Sequence, residues 1–204
     1  MQIDQEYFLD SVLPNRLNAI SWYECVLKEL AKGTHPQEMM IAFDRKIKIV
    51  GNSWMLFNPS AEIGVIHCRS LLEFLGLRVS PHNTRKLVTR PRGHRKDDIV
   101  IEDLSRGGKT LAPISVEQAI SAFSGPPELA EEALATTCHW ANKVVAHLTA
   151  NMPTDSETLR LLQIAAQGVP KLVLRHVYGP LDIPFPDYEV QLVTREQTAA
   201  PQDP

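Results

Sequence analysis

The sequence predicts an all-α fold: an antiparallel bundle of four to five long helices, with an irregular insertion between the third and fourth. Three observations predict it. Apolar residues recur at three- and four-residue steps along most of the chain, the period that gathers them on one helical face. Glycines and prolines fall between these runs, where helices stop and start. The connections at Gly33–Thr34, Asn58–Pro59 and Asn151–Pro153 are short, and short connections make antiparallel neighbours.

The first helix is expected over Pro14 to Lys32, where Leu17, Ile20, Tyr23, Leu27 and Leu30 share a face and Gly33 supplies the stop. Thr34-His35-Pro36-Gln37 reads as a second start, a capping threonine with proline in the first turn. The stripe Met40, Phe43, Ile47, Val50, Trp54 and Phe57 then predicts a second helix, interrupted at Gly51 and ended by Asn58-Pro59. A third helix, from Ser60 to Gly76, is apolar nearly all round and belongs at the centre of the bundle. The fourth runs from Glu128 to Ala150, with Leu134, Cys138, Ala141, Val145 and Leu148 on its core stripe. The fifth opens at Thr154-Asp155-Ser156-Glu157, is kinked near Gly168–Pro170, and stops near Tyr178-Gly179-Pro180. Residues 1–179 thus read as one helical domain, and 180–204 as an extended, proline-rich, largely disordered tail.

Residues 78–126 break the helical period. From Arg78 to Lys96 there are seven Lys or Arg and no acid. Residues 97–104 read as a short strand or a turn of helix, Arg106-Gly107-Gly108-Lys109 as a turn, and Ser115 to Phe123 as a short helix stopped by Gly125-Pro126-Pro127. An insertion this long in a compact domain is expected to be functional or mobile.

Composition narrows the class. The chain is 44% hydrophobic and 22% charged, ordinary for a soluble globular protein, and its net charge of −3 argues against non-specific nucleic-acid binding by the whole surface. No apolar run reaches the roughly 20 residues that span a bilayer. The start Met1-Gln2-Ile3-Asp4-Gln5-Glu6 lacks the features of a signal peptide. Cys25, Cys68 and Cys138 are odd in number and embedded in apolar patterns, which fits reduced, buried thiols in a cytoplasm. His67-Cys68 and Cys138-His139 do not make a zinc site, because adjacent helical residues point about 100° apart. No metal or cofactor is expected.

Polar residues on otherwise apolar helices are the candidates for chemistry. Arg69 and Glu73 lie four apart on the third helix, with His67 and Ser70 beside them. The plain reading is an intrahelical ion pair; the functional one sets Arg69 against a phosphate, oriented by Glu73. The basic residues Arg85, Lys86, Arg90, Arg92, Arg95 and Lys96 can track an RNA backbone or can be neutralised by nearby acids. On the fourth helix stand Asn142, Lys143 and His147, with Lys143 and His147 one turn apart on the same face. A histidine suits proton transfer near neutral pH.

The run Ala141-Asn142-Lys143-Val144-Val145-Ala146-His147 resembles the R-N-K-x-x-A-H signature of the HEPN family, small helical bundles that include metal-independent ribonucleases and toxin or phage-defence components. Asn142, Lys143, Ala146 and His147 match; Ala141 stands where the family has arginine. The resemblance implies an endoribonuclease in which His147 moves protons, supported by Lys143, Asn142, Arg69 and Glu73, in a cleft between two copies of a homodimer. The alternative is an inactive bundle that binds a partner protein or a nucleotide.

Overall fold

The computed structural model describes residues 4–33, 36–44, 46–90, 98–123, 125–145 and 155–190. Four long helices dominate: α2 (Leu13–Leu30), α3 (Trp54–Phe74), α5 (Pro127–Trp140) and α6 (Ser156–Val173). A short α1 (Gln5–Tyr7) and a π-helical turn over Phe8–Val12 lead into α2, and α4 (Val116–Ile120) is a single capped turn. α2 packs against α3 and α6, and α5 packs against the same two helices. Their apolar stripes make one core, with Leu13, Leu17, Ile20 and Tyr23 of α2 and Cys68, Leu71 and Leu72 of α3. Leu134 and Cys138 of α5 and Leu162, Val169 and Leu172 of α6 complete it, as the three- and four-residue spacing predicts.

The expected second helix is absent. Its residues form an antiparallel hairpin, β1 (Glu38–Phe43) with β2 (Lys46–Asn52). Asp44, at φ +50°, takes the left-handed conformation that a tight hairpin turn needs. Lys46, Ile47, Lys48 and Ile49 alternate charged and β-branched residues, and β-branched Val50 follows, a strand period rather than a helical one. Ser53 ties off the base: its N–H donates to the Gln37 carbonyl (2.8 Å) and its Oγ accepts from the Gln37 N–H (3.0 Å).

Helix α3 then begins at Trp54 and runs through Asn58-Pro59 without stopping. Pro59 sits in the second turn, where it removes one intrahelical N–H. Next to it, Ser60 Oγ donates to the Leu56 carbonyl (2.6 Å) and accepts from Trp22 Nε1 (2.9 Å), which binds this turn to α2. The approach of the two helices is close at Gly64, where a Cβ would collide with the Tyr23 side chain.

The insertion is ordered over its described part and contributes to the main core. Strands β3 (Leu77–Val79) and β4 (Leu87–Thr89) pair antiparallel, and β5 (Ser105–Arg106) pairs with β6 (Lys109–Thr110) around Gly107 and Gly108, both at positive φ. Leu77, Leu87, Ile101, Leu104, Leu111 and Ile114 are buried in the same cluster as the long helices. The architecture is therefore mostly helical with three small antiparallel hairpins, which corrects the purely all-α expectation. Helix α6 passes through Pro170 and continues into a π-helical turn, Leu174–Tyr178. After a turn that ends at Asp182, the chain from Ile183 to Val190 has neither helix nor strand and runs along α2: Val190 N–H donates to Ser21 Oγ (2.8 Å) and Asn18 Nδ2 to the Tyr188 carbonyl (3.4 Å).

Candidate functional site

Helix α3 and the π-helical turn Ala141–Val145 that extends α5 are in contact, so the two segments carrying the candidate residues are neighbours. On α3, Arg69 Nε donates to Glu73 Oε1 at 3.0 Å, the intrahelical pair expected from their spacing. Both charges are felt at Cys138 on the facing helix. Burial pushes the Cys138 thiol up to about 12, with Glu73 raising it further and Arg69 opposing, so it stays protonated and is a packing group rather than a nucleophile. Ala141 is buried, at 1% exposure, within the core cluster. Asn142 is half-buried and Lys143 exposed. His147 and Leu148 lie outside the described residues, as do Arg92, Arg95 and Lys96.

A π turn closes its hydrogen bonds one residue later than an α turn, and so rotates the side chains that follow it. Spacing alone puts Ala141 on the stripe with Cys138, and the structure keeps it there. It brings Asn142 and Lys143 progressively outward. Lys143 also lowers the His139 pKa, second to the burial of that imidazole.

His67, one turn from Arg69's neighbourhood, has a partner that the sequence reading missed: Arg16 Nη1 donates to His67 Nδ1 at 3.2 Å. Arginine only donates, so Nδ1 must accept and His67 is neutral, with its proton on Nε2. Partial burial lowers the His67 pKa first, and the Arg16 charge lowers it further. Arg16 lies on the half-exposed edge of α2, where nothing in the spacing separates it from any surface arginine.

Three of the described cations of the basic stretch are paired with acids. Lys86 Nζ meets Glu131 at 2.7 Å, Arg85 Nε meets Glu132 at 3.3 Å, and Arg90 Nη2 reaches both Glu102 carboxylate oxygens at 3.1 Å. Glu131 also accepts the Leu87 backbone N–H (3.1 Å), so it docks β4 on α5. Of these partners, Glu102 is the acid expected just downstream; Glu131 and Glu132 come from the other side of the insertion.

A concavity of about 370 Å³ lies between the amino-terminal turns and the β5–β6 hairpin, lined by Gln5, Glu6, Leu9, Asp10, Ser105, Arg106 and Ile183. The sequence carries a faint signal for it in Glu6 and Asp10, four residues apart. No helix among the described residues is long and apolar enough to cross a membrane. Comparison with protein-family models, with curated proteins and with solved structures gave no match to this chain.

Proposed function

We propose that this chain is a HEPN-like helical bundle that works by association, as a protein- or nucleotide-binding module, rather than by cutting RNA. One observation carries the reading: the cation that the resemblance calls for beside His147 has no substitute at its own position. Ala141 is buried in the core, and a core position cannot present a fork of donors to a phosphate. The arginine on the facing helix, Arg69, is engaged by Glu73. Arg85, Lys86 and Arg90 of the basic stretch are likewise held by carboxylates, which reduces the charge they offer an RNA backbone.

A second reading, a metal-independent endoribonuclease or a toxin or defence component, is favoured by a different observation. The motif begins on a π-helical turn, a geometry frequent at functional sites, and this turn leaves Lys143 exposed. Purified chain incubated with single-stranded and transfer RNA, with and without magnesium, separates the two. The association reading expects uncut RNA. Cleavage by the wild-type chain that disappears in His147→Ala, at an unchanged thermal midpoint, overturns it in favour of the nuclease.

A further inference from the structure

Asn18, Ser21 and Cys25 lie three and four residues apart on α2, and so share one face of it. The segment Ile183–Val190 lies on that face, with neither helix nor strand of its own. All three side chains read its backbone. Asn18 Nδ2 donates to the Tyr188 carbonyl (3.4 Å), Ser21 Oγ accepts from the Val190 N–H (2.8 Å), and Cys25 Sγ donates to the Val190 carbonyl (3.6 Å). Main-chain groups are common to every peptide, so these three contacts do not depend on which side chains the segment carries. Beneath it Ser21 and Cys25 are buried.

The segment is shaped before it docks. Pro184 and Pro186 hold their own φ at about −65° and bias Ile183 and Phe185 toward extended backbone. A chain already so restricted loses little conformational entropy when it is seated. It is also lightly held. None of its residues is fully buried, its contact with the main core is made by Ile183 and Tyr188, and Phe185 is 61% exposed. The core ends just before it, at buried Leu181. Between the two stands Asp182, in the left-handed region at φ +53°. The chain changes course there, so the segment can lift from α2 while Leu181 stays anchored.

From this we infer that the Asn18–Ser21–Cys25 face of α2 is the docking site for a proline-containing, non-helical segment of a partner protein, and that residues 183–190 occupy it in the partner's place. The inference deepens the association reading and rests on it: it says where the chain associates and with what chemistry. The resident segment shows the fit. A partner segment needs prolines that exclude helix and an aromatic residue in the place of Tyr188. Two residues later it needs an N–H and a carbonyl to meet Ser21 and Cys25. Cys25 reports whether the site is covered. Burial pushes its thiol up, which slows alkylation while the segment is seated. Cys68 and Cys138 are buried in the main core and report unfolding instead.

The test uses the full chain, iodoacetamide, and mass spectrometry of the peptides that hold each cysteine. Tyr188→Ala with Val190→Pro removes the half-buried ring and the N–H that Ser21 accepts, and leaves α2 untouched. In this double variant Cys25 is expected to be alkylated about tenfold faster than in the wild type, with Cys68, Cys138 and the circular dichroism spectrum unchanged. The probe is a fluorescein-labelled peptide of the chain's own sequence, Ile-Pro-Phe-Pro-Asp-Tyr-Glu-Val. It is expected to bind the double variant saturably and to slow Cys25 alkylation again. Adding Ser21→Ala should weaken that binding about tenfold, by removing the acceptor for its last N–H. The wild type, with the site already taken by a tethered copy, should bind about tenfold more weakly. Cys25 alkylated only as fast as Cys68 in the double variant overturns the proposal, because the segment is then a fixed part of the fold. Faster alkylation without peptide binding overturns it too. A wild-type mass of twice 22.8 kDa that falls to one chain in the double variant puts a second copy's segment in the site and overturns the partner. Failure of the peptide removes this site alone, whereas RNA cleavage lost in His147→Ala removes the association reading.

Discussion

His67 and Ala141 sit on the two helices that meet at the candidate site, and each makes a different kind of test possible. His67 accepts from Arg16 and is held neutral by burial and by that guanidinium. A folded pKa below the unfolded value near 6.5 means that the unfolded chain binds more protons in the interval between the two. Stability is therefore full above about pH 6.5 and falls as the pH drops through the folded pKa. His139 and His176 are lowered in the same direction by burial, each with a neighbouring cation, and add to the slope. Thermal midpoints at pH 7.5 and 5.5 should differ in that sense. His67→Gln, which keeps an acceptor for Arg16 but does not titrate, should shrink the difference; an unchanged difference would mean that His67 is not part of it. At Ala141 the expectation is steric and electrostatic together. Ala141→Arg supplies the arginine of the resembled signature but places a guanidinium in the core cluster, and should destabilise by about 3–5 kcal/mol in a urea titration. A fully stable Ala141→Arg protein that cleaves RNA would show that the arginine swings out into a cleft, and would remove the main support for an association module.

At the scale of elements, the hairpin shows how two periods can share the same letters. Met40, Phe43, Ile47, Val50, Trp54 and Phe57 satisfy helical spacing, while Lys46 to Ile49 satisfies strand alternation for four residues. The β-branched residues and the tight turn at Asp44 favour the strand, and pairing with β1 supplies the hydrogen bonds that a helix would have supplied. Proline misled in the same region. Pro59 lies so near the start of α3 that it removes a single intrahelical bond and does not end the helix. Gly64 makes the α2–α3 contact testable. Alanine is normally better than glycine in a helix by about 1 kcal/mol. Here the added methyl would meet the Tyr23 side chain at its root, Cβ and ring included, where a flexible retreat is not available. Gly64→Ala should therefore destabilise by about 1–3 kcal/mol, measured by chemical denaturation. A stabilised variant would mean that the two helices lie further apart than described.

Across the whole molecule, the described part of the insertion ties the ends of α3 and α5 together. Glu131 accepts from the Leu87 N–H and pairs with Lys86, at a position only 12% exposed. Glu131→Ala leaves a largely buried N–H without its acceptor, and should lower stability by about 1–3 kcal/mol while the four long helices persist in circular dichroism. An exposed arm would lose nothing measurable. The same logic bears on salt: if Arg85, Lys86 and Arg90 are the cations that matter, their pairing with Glu132, Glu131 and Glu102 predicts weak RNA binding with a shallow dependence of affinity on ionic strength.

The sequence by itself indicated the four long helices and most of their inward faces, because a stripe at three- and four-residue steps has only one face to bury; the exception is α3, expected at the centre of the bundle, whose Ile63 and Ile66 are exposed. It also determined the Arg69–Glu73 pair, the start of the last long helix within residues 154–157, the Gly107–Gly108 turn and the burial of Ala141, all of which depend on residues within a few positions of one another. Only the tertiary structure decided what depends on distant partners. Arg16 found His67, and Lys86 and Leu87 found Glu131. The insertion entered the core, and the stretch after Gly33 became a hairpin instead of a helix. The physical reason is common to these cases. Local sequence fixes which face is apolar and which residues cap or turn, whereas an ion pair, a docked strand or a choice between two periods is settled by the free energy of contacts made across the fold.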